Sequence, residues 1–150
     1  MTLTPVQVST GFNKMLGITL LEWGPDGMMG QLRMTPDMLN SSGIAHGGIY
    51  CTLLDFGCGV AGCYAPEGAP PKFCVTLSLT TNFLASAAGG VLTVRARRSG
   101  GGRKVFFAEA EIRDETGALM ATATGTFRHI SPRNGTLDTQ PPADRASPEE

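Results

Sequence analysis

Asn40-Ser41-Ser42-Gly43-Ile44-Ala45-His46-Gly47-Gly48, followed by the apolar run Ile49 to Tyr64, decides how this 150-residue chain is read. Within the run, Ile49, Cys51, Leu53, Leu54, Phe56, Cys58, Val60 and Cys63 share no single helical face. A helix that is apolar all round is a buried one. Yet Asp55 stands in its middle, and burying a carboxylate costs several kcal/mol unless it is paired or neutralised. No Lys, Arg or His lies within a helical turn of it, and Thr52 is the only polar neighbour on its face. So costly a group without a local partner points to chemistry. The plainer alternative is a bond from Asp55 to a backbone group across a packing interface.

The start of the run carries the second half of a site. Asn40, Ser41 and Ser42 are good helix-capping residues, and Gly47-Gly48 puts bare backbone amides at the first turn. Those amides carry the positive end of the helix dipole and suit an oxyanion or a polarised carbonyl. At position 47 a glycine lets a ligand approach where a side chain would block it.

The rest of the chain fits one domain over residues 1–130 with a disordered, Pro-, Ser- and acid-rich tail over 131–150. A net charge of −1 gives no electrostatic case for nucleic-acid binding. Residues 1–16 lack the charged and apolar regions of a signal peptide, and no apolar stretch reaches a membrane span uninterrupted, so a cytoplasmic protein is expected. Cys51, Cys58, Cys63 and Cys74 form no CxxC pair and only two histidines are present, so neither a metal site nor a cofactor is expected. The cysteines read as small hydrophobes.

Residues 4–16 read as a short helix with Phe12, Met15 and Leu16 on one side. Ile18–Trp23 and Met28–Thr35 read as two strands about the hairpin turn Gly24-Pro25-Asp26-Gly27. After the central run, Ala65 to Pro71 is a loop by composition. Phe73–Ala85 alternates, with Val75, Leu77 and Leu79 on one face and Thr76, Ser78 and Thr80 on the other. Gly90–Arg98, Lys104–Arg113 and, past the turn Asp114-Glu115-Thr116-Gly117, Ala118–Ile130 complete four strands. A single helix apolar on all sides needs a sheet to wrap around it, so an α+β class with antiparallel sheet curled on one long central helix is expected.

That layout is the hotdog fold, and Asn40-x5-His46-Gly47-Gly48-x6-Asp55 resembles the signature of hotdog acyl-CoA thioesterases of the phenylacetate-degradation (PaaI-like) type. The resemblance runs from about residue 11 to 130. It implies hydrolysis of an acyl- or aryl-acyl-CoA to free acid and coenzyme A. Asp55 matches the carboxylate that acts as general base or nucleophile, and Gly47 the residue whose amide polarises the thioester carbonyl. Asn40 and His46 match the residues that support the carbonyl or orient the attacking water. Thr76 falls where the family often places a hydroxyl near the acid, to hold water. Plainer readings stand beside two of these: His46 shaping the helix entry by capping loop carbonyls, and Thr76, Ser78 and Thr80 facing a polar strand surface. The floor of an acyl pocket is expected from a partner's helix and from residues around Phe83 and Tyr64.

Gly47 and Asp55 lie eight residues apart, about 12 Å along one helix. A group attacking a carbonyl held at Gly47 must come within about 3–3.5 Å of it. If both act on one thioester, Asp55 must come from a second copy with an antiparallel helix, giving two equivalent sites per twofold dimer. The resemblance implies the same homodimer, often paired into a tetramer. Arg97, Arg98, Arg103 and Lys104 flank the glycines 100–102, a cationic hairpin that suits the phosphates of coenzyme A or is simply a solvated turn.

Gly57-Cys58-Gly59-Val60-Ala61-Gly62 spells GxGxxG, but a dinucleotide site wants an acid about twenty residues on, and none occurs between Gly68 and Ala108. Those glycines read instead as points of close approach. No GxSxG elbow is present for a serine hydrolase. The rivals are a hotdog dehydratase or hydratase, whose His–acid pairing is not found, and a non-catalytic acyl-CoA-binding or regulatory hotdog protein, which needs no Asp55.

Overall fold

One antiparallel sheet curls around one long helix in the computed structural model, which describes residues 2–7 and 11–131. The elements are β1 (Thr2–Gln7), α1 (Gly11–Leu16), β2 (Thr19–Gly24), β3 (Gly27–Arg33), a 3₁₀ turn (Pro36–Met38), α2 (Gly47–Gly62), β4 (Phe73–Phe83), β5 (Val91–Gly101), β6 (Val105–Arg113) and β7 (Leu119–Ile130). The strand order is β1-β2-β3-β5-β6-β7-β4, with every neighbouring pair antiparallel. Helix α2 packs on β3, β4, β5, β6 and β7, which is the hotdog arrangement in the α+β class. No helix among the described residues is long and apolar enough to cross a membrane. The tail expected from Ser131 onward lies, beyond Ser131 itself, outside the described residues.

The helix expected over residues 4–16 is corrected. Thr2–Gln7 pairs with β2 as an edge strand, and only Gly11–Leu16 is helical. Covering the open edge of β2 satisfies backbone groups that a second helical turn would not reach, and Pro5 is tolerated because the strand is at an edge. The β2–β3 hairpin turns at Pro25-Asp26, with Gly24 opposite Gly27. Gly27 is obligatory there: its φ of +142° is left-handed, and a Cβ would strike the Ala96 carbonyl oxygen.

Leu53, Leu54 and Cys58 of α2 are fully buried against a layer that includes Leu32, Leu92, Val94, Phe106, Ile112 and Phe127. Each such large side chain contributes about 1.5–3 kcal/mol by leaving water. The GxGxxG glycines are the places where helix and sheet touch. A Cβ on Gly57 would meet Val94 Cγ2 at 2.9 Å, and one on Gly62 would enter the Phe106 ring.

Two expectations about burial are corrected. The helix is not buried all round, since the sheet covers one side and leaves Cys51, Thr52, Asp55 and Phe56 half-buried. Nor does β4 keep a simple alternation. A bulge between Thr76 and Ser78 shifts its register on β7. Cys74, Thr76 and Leu79 therefore all turn toward the helix side, while Val75 and Leu77 are left 38% and 53% exposed. A bulge inserts one residue and so flips the phase of everything beyond it.

Candidate active site

The loop before α2 is built by Asn40. Its Oδ1 accepts the amide hydrogens of Ser42 (2.9 Å) and Ile44 (3.4 Å), and its own amide donates to the Ile44 carbonyl at 2.8 Å. The expectation that Asn40, Ser41 or Ser42 caps the helix is corrected, because the chain stays extended for several residues more. Leu39 bridges Ala45, Ala45 donates to the Ala87 carbonyl, and His46 donates to the Met38 carbonyl. The N-cap is His46. Its backbone is extended (φ −61°, ψ 134°), and its Nδ1 accepts the Gly48 amide hydrogen at 2.9 Å. An accepting Nδ1 is unprotonated, so a neutral ring carries its proton on Nε2. His46 thus shapes the helix entry, though by taking an amide hydrogen rather than by capping loop carbonyls.

That arrangement leaves one donor free at the first turn. Gly48 gives its amide to His46 Nδ1 and Ile49 gives its own to the His46 carbonyl at 2.9 Å. Gly47 opens the helix, so its N–H has no carbonyl four residues back. Beside it stands Phe83, whose ring lies 3.4 Å from where a Gly47 Cβ would be. Phe83 stacks on Tyr50 with centroids 6.2 Å apart. Tyr50 donates its hydroxyl to the Ala85 carbonyl (3.2 Å) and accepts the Ala87 amide hydrogen (3.1 Å), locking the strap after β4 onto the helix. Burial pushes the Tyr50 phenol up, so it stays protonated in these roles. Phe83 thus borders Gly47, whereas Tyr64 lies at the other end of α2, edge-on to Trp23, so the two residues expected around one pocket floor lie at opposite ends of the helix.

Two helical turns on, Thr76 donates its hydroxyl to Asp55 Oδ1 at 2.7 Å. The helix supplies the carboxylate, and the bulged strand turns the threonine to meet it. A hydroxyl that donates to a carboxylate keeps its lone pairs for a water. Asp55 makes no ion pair among the described residues. Cys58, one turn further, is no rival nucleophile: burial, helped by the Asp55 charge, pushes its thiol up to about 12. No group of three His, Cys, Asp or Glu side chains placed to hold a metal occurs among the described residues.

The structure therefore brings Asp55 to Thr76 and Gly47 to His46, and keeps the two pairs about 12 Å apart on one helix. The four expected cations separate. Arg97 pairs with Glu109 at 2.5 Å on the outer sheet face, bordering a hollow of about 770 Å³ that contains neither Asp55 nor Gly47. Arg98 and Arg103 line a different cleft, of about 650 Å³, which Lys104 does not line. That cleft also includes Lys72 and His129. Sequence reasoning missed both, because they sit on segments far from the hairpin and no local pattern joins them.

Comparison with known proteins places the chain and its fold in a family. The model of the family described as the Thioesterase superfamily matches residues 42–121, more than half of the chain and the span from the Asn40 loop to β7. A Mycobacterium tuberculosis protein, Rv1847, provisionally named an esterase, is 26% identical over 130 residues, covering 86% of this chain and 93% of its own length. Among solved structures, the thioesterase HI1161 of Haemophilus influenzae superposes with a TM-score of 0.69 at 26% identity, covering 77% of this chain and 80% of that one. The PaaI protein of the E. coli phenylacetic acid degradation operon gives 0.70 at 25%, with 79% and 83% covered.

Proposed function

We propose that this chain, which belongs to the Thioesterase superfamily, hydrolyses the thioester of an acyl- or aryl-acyl-CoA to the free acid and coenzyme A. The observation that carries the reading is the 2.7 Å bond from Thr76 to an otherwise unpaired Asp55, on the same helix whose first amide is free. Thioester hydrolysis needs a donor where negative charge develops and a base or nucleophile ionised at neutral pH. In this account the Gly47 amide is the first and Asp55 the second. The attack runs through a water deprotonated by Asp55 or through a transient acyl anhydride on it. Thr76 holds the carboxylate, His46 and Asn40 hold the loop that presents Gly47, and Phe83 walls the acyl end.

Because Gly47 and Asp55 of one chain are too far apart to share a carbonyl, each site is assembled from two copies. Strand β4 supports this. It is a long edge strand whose Val75, Leu77 and Phe83 are exposed, a surface that soluble proteins rarely leave uncovered. Antiparallel pairing of β4 with its twofold mate sets the two helices antiparallel and brings each Asp55 toward the partner's Gly47.

The test is release of free thiol from a panel of acyl-CoAs by wild type and Asp55→Asn. Asn keeps the size and removes the charge. Turnover by the wild type, reduced about 100-fold or more in the variant, is expected from the usual worth of a positioned base. If neither protein turns over any thioester while both bind acyl-CoA, the non-catalytic binding reading replaces this one.

A further inference from the structure

We infer that the cleft between the start of β4, the β5–β6 hairpin and the end of β7 is a binding site for a phosphorylated nucleoside, formed by Lys72, Arg98, Arg103 and His129 with Phe73. It has a volume of about 650 Å³, and no carboxylate among the described residues lines it. Its three contributing segments, Pro71–Phe73, Arg98–Arg103 and His129–Ser131, each fall in stretches of the chain free of Asp and Glu. Three cations without a counter-charge among the described residues form a site for an anion carrying more than one negative charge, and phosphate is the group that guanidinium forks match best.

The arginine at its centre is held before any ligand arrives. Arg98 donates Nε to the Gly100 carbonyl (3.2 Å) and Nη2 to the Gly102 carbonyl (2.8 Å), and its guanidinium lies 5.5 Å from the centroid of the Phe106 ring. Two of its five donors are thus spent on fixing the fork, and the others remain for a phosphate at little entropic cost. The His129 ring packs on the same Phe106, centroids 4.7 Å apart. His129 Nδ1 is the one buried side-chain nitrogen or oxygen without a partner among the described residues. A polar group left short by the chain itself marks a wall whose hydrogen bonding the fold does not complete. Two apolar side chains of the lining are open to solvent: Phe73 is 38% exposed and Ile130 40%. An exposed aromatic face beside fixed cations is the arrangement that stacks a base while its phosphates are held.

Position ties the cleft to the catalytic pair, and here the inference rests on the proposed hydrolysis. Phe73 is three residues from Thr76 along β4, about 10 Å. The cleft is therefore the place for the nucleotide end of coenzyme A, with the pantetheine arm running along β4 to a thioester at Asp55. Arg97, bound to Glu109, has no part in it.

Calorimetric titration of the full chain with adenosine 3′,5′-bisphosphate, a ligand with no thioester, reads the cleft alone. The wild type is expected to bind it, and Lys72→Glu with Arg103→Glu to weaken binding about 10-fold or more; Arg103→Ala, which only deletes a charge, guards against misfolding of the double variant. In parallel, the ratio of kcat/KM for acyl-CoA to that for the matching acyl-pantetheine is expected to fall about 10-fold in the charge variants. Failure of the wild type to bind the bisphosphate, equal binding by wild type and variants, or full competition by inorganic phosphate alone would overturn the site. Charge-dependent bisphosphate binding without turnover of any thioester would uphold the cleft and overturn the hydrolytic reading instead.

Discussion

Thr76 owes its role to one hydroxyl. Donating to Asp55, it fixes the carboxylate rotamer and, in the proposed hydrolysis, leaves lone pairs for the attacking water. Thr76→Ala removes a bond to a charged group, and about a 10-fold or greater fall in kcat with KM little moved is expected in thiol-release kinetics. Thr76→Ser, keeping the hydroxyl, is expected to recover most of the rate, and equal loss in both variants would make the threonine merely structural. At this scale the sequence was readable where chemistry is local. An acid with no cation within a turn and a glycine at a helix start are visible in a string of letters. The cap was not: Asn40, Ser41 and Ser42 have the right side chains, but backbone bonds from residues 38 and 87 keep the chain extended until His46. Those partners are distant in sequence.

At the scale of the element, α2 lies as close to the sheet as it does because its small residues face the largest ones. A methyl group on Gly62 would enter the ring of Phe106, itself pinned by Phe127 at 5.2 Å. Gly62→Ala is expected to lower stability by about 1–3 kcal/mol, as overpacking does, read as a shift in urea midpoint. The turn before β7 depends on a charge. Asp114 Oδ1 accepts the Thr116 hydroxyl at 2.7 Å and the amide hydrogens of Thr116 and Ala118. The Thr116 hydroxyl first, then those amides, hold the Asp114 carboxyl below its ordinary value. A depressed folded-state value adds stability that is present above the unfolded value and is lost as pH falls through the folded one. Acid unfolding below about pH 4 is therefore expected to be less steep in Asp114→Ala than in wild type, and coincident curves would contradict it. The strands themselves were legible from alternation and turn residues. The phase of β4 was not, because its bulge is an agreement between Thr76, Ser78 and a partner strand some fifty residues away.

In the proposed hydrolysis the whole molecule is incomplete as one chain. The Asp55–Thr76 pair and the free Gly47 amide lie at different heights of one helix, and β4, the edge strand beside them, exposes Val75, Leu77 and Phe83. The proposed antiparallel dimer rests on the eight-residue spacing, whereas the cleft of Lys72 and His129 appears only once β4, β5 and β7 lie together in the sheet. Two variants, each expected to be inactive alone, test the proposed shared site directly. Asp55→Asn removes the base. Gly47→Pro removes the amide hydrogen at a position where proline is favoured, the first of a helix, after a His46 already in the extended conformation that a following proline requires. In a mixed dimer one site has both residues intact and the other has neither. Thiol release by the exchanged mixture is therefore the most direct measurement: about one quarter of wild-type activity is predicted from statistical pairing of two copies. A mixture no more active than its separate components would contradict the shared site.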